Sequence, residues 1–445
     1  MKKIRIGSGA GYAGDRIDPA IELAEKGNLD FLVFECLAER TISIGQKQKK
    51  MDPSKGYNEL LEDRMRAVLP ECKKNNIKIV TNMGAANPIA AGEVVLAVAK
   101  DIGINDIKVA VVTGDDVLQL LLDLDLKLED TGIAISSCKK HILSANAYLG
   151  IEGLLTALEC DADVVIAGRV SDPSLFLAPM VYSFGWKSND WDKLGKGTCI
   201  GHLLECAGQV TGGYYADPGI KDVEGLGRLG FPLAEVDAEG GAIITKVKGS
   251  GGCVNEDTCK EQLLYEIHQP DQYLTPDVTA DFSKVTFEQC GKDIVAVTGA
   301  TGKPRTNTLK ASVGYYDGFI GEGEISYAGI NAVARGNLAL DIVKERFALS
   351  NHKHAEIRYD LIGVNALHGS LRSINSDPYE VRARVAAKCE TWVEAVKVGN
   401  EVETLYTNGP AGGGGVMKSV KEILAMDSVL ISRKYVTPTI TVLGE

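Results

Sequence analysis

Four short apolar runs, Lys3–Ser8, Leu29–Glu35, Ile77–Asn82 and Ile107–Thr113, each end in small or polar residues, and longer stretches with charges and leucines at helical spacing separate them. Short buried strands alternating with amphipathic helices are the pattern of βα units stacked on a sheet, with helices covering its faces. Asp18-Pro19 starts the first helix, because Asp caps and Pro at the first helical position loses no needed hydrogen bond; Gly27 ends it. Further helices are expected over Tyr57–Asn75, Pro88–Gly103 and Ser144–Cys160. A fifth strand, Asp163–Gly168, runs into Arg169-Val170-Ser171-Asp172-Pro173.

The second half reads differently. Residues 185–260 are rich in turn signals such as Thr211-Gly212-Gly213 and Gly249-Ser250-Gly251-Gly252, which predict irregular loops. Leu309–Tyr327 alternates like strands of an antiparallel sheet. After it a helix is expected over Asn331–Ala348, a strand over Ala355–Gly363, a helix over Pro378–Thr391, a strand over Glu401–Thr407 and a helix over Val416–Met426. The expected fold class is α/β, a mostly parallel open sheet with flanking helices, plus a smaller α+β C-terminal domain of ferredoxin-like type, divided as 1–285 and 286–445. Uneven strand spacing favours the open sheet over a barrel.

Charge and cysteine usage exclude several function classes. Sixty acidic against 48 basic side chains give a net charge of -12, which repels nucleic acid at long range. No apolar run reaches the roughly 18 residues that a membrane helix needs. Met1 to Ile6 passes straight into Gly7-Ser8-Gly9 without the apolar core of a secretory signal, so a cytoplasmic location is expected. The ten cysteines stand singly, without Cys-x-x-Cys or zinc spacing, and read as reduced thiols; no metal site is expected.

Gly9-Ala10-Gly11-Tyr12-Ala13-Gly14 is a literal G-x-G-x-x-G after the first strand, with Glu35 ending the second. In a dinucleotide fold the helix begins at the second glycine, so that its amides meet the pyrophosphate. Here the helix start signal lies seven residues beyond Gly11. The string therefore fits three roles: a nicotinamide site, a loop whose Gly9, Gly11 and Gly14 approach an anionic substrate, or a structural turn.

Other polar residues follow the remaining strands, and parallel strands place them on one rim. Asp15 and Arg16 follow the first strand; Glu35, Glu39 and Arg40 the second; Asn82 and Asn87 the third; Asp115 and Asp116 the fourth; Arg169 and Asp172 the fifth. Arginine suits bidentate carboxylate recognition, and a neighbouring carboxyl with a tuned pKa serves as acid or base. Taken singly, each of these residues is equally an ion pair or a helix cap. His202, Glu205 and Cys206 share one helical face by i, i+3, i+4 spacing, a proton-carrying pair or a hydrogen-bonded core histidine. No Walker A loop, Gly-x-Ser-x-Gly elbow or His-Glu-x-x-His helix occurs.

The strings Ile6–Arg16 and Phe31–Thr41, with Asn82–Pro88, Gly168–Pro173 and His202–Gly208, resemble the acyclic terpene utilisation AtuA family, over about residues 3 to 350. The resemblance implies breakdown of a small or branched carboxylic acid or its CoA thioester. It also implies a small AtuA-related ferredoxin-like module, fused or as a separate partner. Joined to the residues, it suggests a hydro-lyase or isomerase that needs no redox cofactor and works as a homo-oligomer. Arg16 and Arg169 bind the acid, Glu35 or Asp15 acts as base, and His202 with Glu205 carries a second proton. The alternatives are an NAD-linked dehydrogenase using Gly9–Gly14 and a non-catalytic subunit of a catabolic complex.

Overall fold

A computed structural model describes residues 2–139, 141–369 and 377–444. Along the first half run β1 (Lys3–Ala10), α1 (Asp18–Lys26), β2 (Phe31–Phe34), α2 (Glu39–Met51), α3 (Leu61–Lys74), β3 (Lys78–Thr81), α4 (Pro88–Asp101), β4 (Val109–Thr113), α5 (Leu118–Leu124), α6 (Ile135–Cys138), β5 (Ile142–Ala147), α7 (Ile151–Glu159), β6 (Val164–Ala167), α8 (Asp172–Phe184) and α9 (Trp191–Glu205). Then follow β7 (Pro232–Asp237), β8 (Ala242–Lys246), α10 (Glu256–Leu264), β9 (Tyr273–Leu274), β10 (Thr279–Asp281), β11 (Thr286–Gly291), β12 (Ile294–Thr298), β13 (Thr301–Lys303) and β14 (Thr308–Ala328). The rest is α11 (Ala332–Ser350), β15 (Glu356–Ile362), β16 (Glu380–Cys389), α12 (Trp392–Glu403), α13 (Leu405–Asn408), β17 (Gly414–Ser432) and β18 (Thr439–Leu443).

The main sheet has ten strands in the order β11-β12-β8-β7-β1-β2-β3-β6-β4-β18. Its centre, β1-β2-β3-β6-β4, is parallel. The sheet as a whole is mixed, not mostly parallel, because β7, β8, β12, β11 and β18 pair antiparallel at its flanks. For two of these pairs the cause is local: β7 and β8, and likewise β11 and β12, are joined by turns too short for a crossover, whereas β1–β7, β8–β12 and β4–β18 join strands far apart in sequence. In the first of these turns Asp237 Oδ1 accepts from the amides of Glu239 and Gly241.

The loops expected over 185–260 contain α9, β7, β8 and α10, so part of the turn-rich composition belongs to hairpins and connections between regular elements. The helix expected from Ser144 begins at Ile151, because Ser144–Ala147 completes β5. Strand residues alternate between two cores: Phe31 and Val33 face α7, α8 and α9, whereas Leu32 and Phe34 face α1, α3 and α4. This double burial is why β2 and β6 are apolar at every position and why the other central strands keep their polar residues mostly near their ends.

By compactness the chain divides into residues 1–314 with 426–445, and residues 315–425. The division drawn from the sequence stood at residue 285. The second unit carries a sheet in the order β15-β16-β14-β17 with α11, α12 and α13. Three expectations there are corrected. Pro378–Thr391 is not a helix: Val381, Ala383, Val385, Ala387 and Cys389 are buried at every second position of β16. Glu401–Thr407 is not a strand: Ala395, Val398 and Val402 are buried at helical spacing, and Thr391 caps α12 by accepting from the Glu394 amide. Val416–Met426 is not a helix but part of β17, which pairs along the 21-residue β14, itself one strand where several were expected. Among the described residues no helix is long and apolar enough to cross a membrane.

Candidate active site

Parallel strands deliver their last residues to one rim, and here the residues after β2, β3, β4 and β6 are tied together there. Glu35 follows β2, and its Oε1 accepts from the Leu37 amide (2.8 Å) and from Asn82 Nδ2 (2.9 Å). Asn82 follows β3, and its Oδ1 accepts from the Cys36 amide (2.7 Å). Asp115 follows β4, and its Oδ2 accepts from the Arg169 amide (3.0 Å) and from Asn146 Nδ2 (2.8 Å). Arg169 follows β6 and is fully buried; its guanidinium donates to the carbonyls of Leu37 and Val170 and to Asp172 Oδ1, and it lies 4.5 Å above the Tyr148 ring.

Burial dominates the electrostatics of this cluster. It pushes Glu35 up to about 8, reinforced by the negative Asp172 and opposed by Arg169. It raises Asp172 as well, against the pull of Arg169, and brings Asp115 to about 6.

A second proton-carrying pair stands on α9. His202 Nε2 faces the Leu263 carbonyl (3.1 Å), which only accepts, so Nε2 carries a proton. One further proton is then shared between His202 Nδ1 and Glu205 Oε1, 2.8 Å apart. Burial raises Glu205 to about 7 against the pull of His202. Burial lowers His202, but Glu205 outweighs it and the net direction is upward. Glu205 Oε2 is buried without a hydrogen-bond partner. Cys206 ends the helix, and burial pushes its thiol up, away from nucleophilic thiolate character.

The glycine string has a packing role. A Cβ on Gly9 meets the Phe34 ring at 2.6 Å, and one on Gly11 meets the Cys206 backbone at 2.5 Å. Two of the loop amides are taken up within the loop itself: Asp15 Oδ2 accepts from Gly11 (2.9 Å) and Oδ1 from Arg16 (2.8 Å). The helix begins at Asp18, so its first amides stand away from Gly11 and the dinucleotide geometry is not formed.

Two cavities open on the rim. The first, of about 540 Å³, is lined by Asp15, Arg16, Glu35, Asp172, Glu205 and Glu266, with Gly11, Tyr12, Tyr214, Tyr265 and Phe231 among its other walls. The second, of about 860 Å³, is lined by Arg40, Arg169, Asp172, Lys310 and Glu266 and by apolar side chains such as Leu309, Met426 and Leu430. Ala38, Asp172 and Glu266 belong to both. Tyr214 and Glu266 have left-handed backbones, a strain of about 1–2 kcal/mol each for residues with a Cβ. No group of three or more His, Cys, Asp or Glu able to hold a metal ion occurs among the described residues.

The family model described as acyclic terpene utilisation family protein AtuA matches residues 4–442, nearly the whole chain. The chain belongs to the AtuA family. The match extends past residue 355, through the region where the resemblance of short strings ends. No curated protein and no solved structure matches the chain.

The geometry sorts the candidate residues of this AtuA-family chain. Glu35, Asp172, Glu205, Asp15, Arg16 and Gly11 line the first cavity, and Arg40, Arg169 and Asp172 line the second. His202 stands behind Glu205, and Asn82 behind Glu35. Asn87 lies elsewhere, donating to the carbonyls of Pro53 and Lys55. Gly9 is packed under Phe34, and Gly14 is exposed beside Tyr12. Sequence reasoning missed Arg64, Tyr148 and Glu266. Arg64 looks like any charged residue on an amphipathic helix, and nothing local marks the other two.

Proposed function

We propose that the protein is a catabolic enzyme that acts on a small or branched carboxylate, or its acyl-CoA, by acid–base chemistry of the hydro-lyase or isomerase type. One observation carries this reading: two carboxyls on different elements, Glu35 after β2 and Glu205 on α9, line one cavity with pKa values raised to about 8 and about 7. Groups poised near neutrality give up and take back protons with little cost in either direction. Glu35, mostly protonated at pH 7, is the acid. It gives its proton to a departing hydroxyl, or to the carbon that receives hydrogen. Glu205 is the base: its carboxylate takes a proton from the carbon beside the acyl carbonyl, while His202 stabilises that carboxylate through Oε1. Asn82 and the Leu37 amide orient Glu35.

Arg169 supports the site from behind. Its buried charge offsets Glu35 and Asp172, which otherwise repel each other. We also read residues 315–425 as a ferredoxin-like module. Their element order, β14-α11-β15-β16-α12-β17, and sheet order, β15-β16-β14-β17, support this as a split βαβ arrangement.

A thermal-shift screen tests the functional reading, since a ligand preferring the folded state raises its stability. Stabilisation by branched carboxylates or acyl-CoA, with turnover that drops at least about a hundredfold in Glu35→Gln and Glu205→Gln, is the expected result. Stabilisation by NAD(H) alone overturns it, and silence throughout moves the assignment to a non-catalytic subunit.

A further inference from the structure

We propose that the anionic end of the substrate is held by Arg40 in the second cavity, while the carbon that exchanges protons lies in the first cavity between Glu35 and Glu205. This rests on the acid–base reading above and adds an orientation and a specificity-determining residue to it. The first cavity is lined by five carboxyl groups, Asp15, Glu35, Asp172, Glu205 and Glu266, against one cation, Arg16. An anion placed there meets more negative than positive charge, even with Glu35 protonated. Arg16 is, moreover, bonded through Nη1 to the Leu226 carbonyl (3.0 Å).

Three further arginines and lysines line the second cavity. Arg169 is fully buried, with Nε, Nη1 and Nη2 all donating to protein acceptors, so no free fork remains for a ligand. Lys310 is paired with Glu39 at 2.7 Å, and the same Oε1 accepts from Tyr148 (2.8 Å) and Ser312 (3.1 Å). Arg40 is exposed and has no hydrogen bond or ion pair among the described residues. Its guanidinium therefore meets an incoming carboxylate or phosphate without first breaking a contact. Ala38, Asp172 and Glu266 line both cavities, so the two adjoin at these residues.

The test compares 3-methylbutanoate with 3-methylbutanamide, which has the same shape without the charge, by calorimetric titration of the full chain at neutral pH. Wild type is expected to bind the acid at least about tenfold more tightly than the amide. Arg40→Gln brings that ratio to about one, Arg40→Lys restores part of it, and Arg16→Gln leaves it in place. A ratio that survives in Arg40→Gln, or collapses in Arg16→Gln, overturns the orientation while leaving the acid–base reading standing. Absence of binding by both compounds and by 3-methylbutanoyl-CoA in wild type overturns the carboxylate reading itself.

Discussion

Arg64 lies wholly inside the protein and donates to the carbonyls of Ala13 (3.2 Å) and Asp15 (3.0 Å), to Asn58 Oδ1 (3.2 Å) and to Cys36 Sγ (3.2 Å). A buried guanidinium is retained only where acceptors converge on it. Here two of them are the backbone of the very loop that lines the first cavity. Arg64→Met removes the side-chain donor to the Asp15 carbonyl and one of the two donors to the Ala13 carbonyl, which Asn58 Nδ2 also reaches (3.1 Å), and a loss of about 2–4 kcal/mol is expected in urea denaturation. Faster hydrogen exchange at residues 11–16 should accompany it; a variant with wild-type exchange there denies Arg64 its hold on the loop. The residues after the strands were legible in the sequence because polar groups following an apolar run have few other places to go. The partners they choose were not. Arg169 is occupied by Leu37, Val170 and Asp172, residues on two different connections, and no spacing along the chain announces that.

Elements succeed or fail as sequence predictions according to whether burial has one face or two. The central strands β2 and β6, apolar throughout, and α4, rich in buried Ala and Val, read directly. β16 does not, since Ala and Arg favour helix while its alternate residues are buried as in a strand; tertiary packing overrides propensity. The same override makes Val416–Met426 part of β17. Close packing between elements sets the next prediction. Gly11→Ala drives a Cβ against the Cys206 backbone, which has no rotamer to yield, and is expected to cost about 2 kcal/mol. Gly14→Ala meets only the edge of the exposed Tyr12 ring at 3.2 Å and should stay within about 0.5 kcal/mol of wild type. Equal denaturation midpoints for the two variants would show that the first strand and α9 can part freely.

The pH dependence of stability belongs to the whole molecule. Glu35, Glu205 and Asp115 all have folded pKa values raised above the ordinary carboxylate range, mainly by burial. Such groups bind protons more tightly folded than unfolded, so their contribution is complete below the unfolded pKa and is lost as pH rises through the folded value. Stability should therefore fall between about pH 5 and pH 8, by up to about 1.4 kcal/mol per unit for each group that titrates. Glu35→Gln is expected to flatten that slope; urea titrations at three pH values with parallel lines for variant and wild type would contradict it.

The net charge of -12 adds self-repulsion in the same direction, screened by salt. Apolar periodicity along the chain by itself determined the βα succession and the gathering of polar strand ends on one rim, because burial on two faces leaves a local record in sequence. Which strands pair antiparallel, which cation stays free for a ligand and which carboxyls are desolvated were decided only by the tertiary structure. Those outcomes depend on groups far apart in sequence competing for the same few hydrogen bonds.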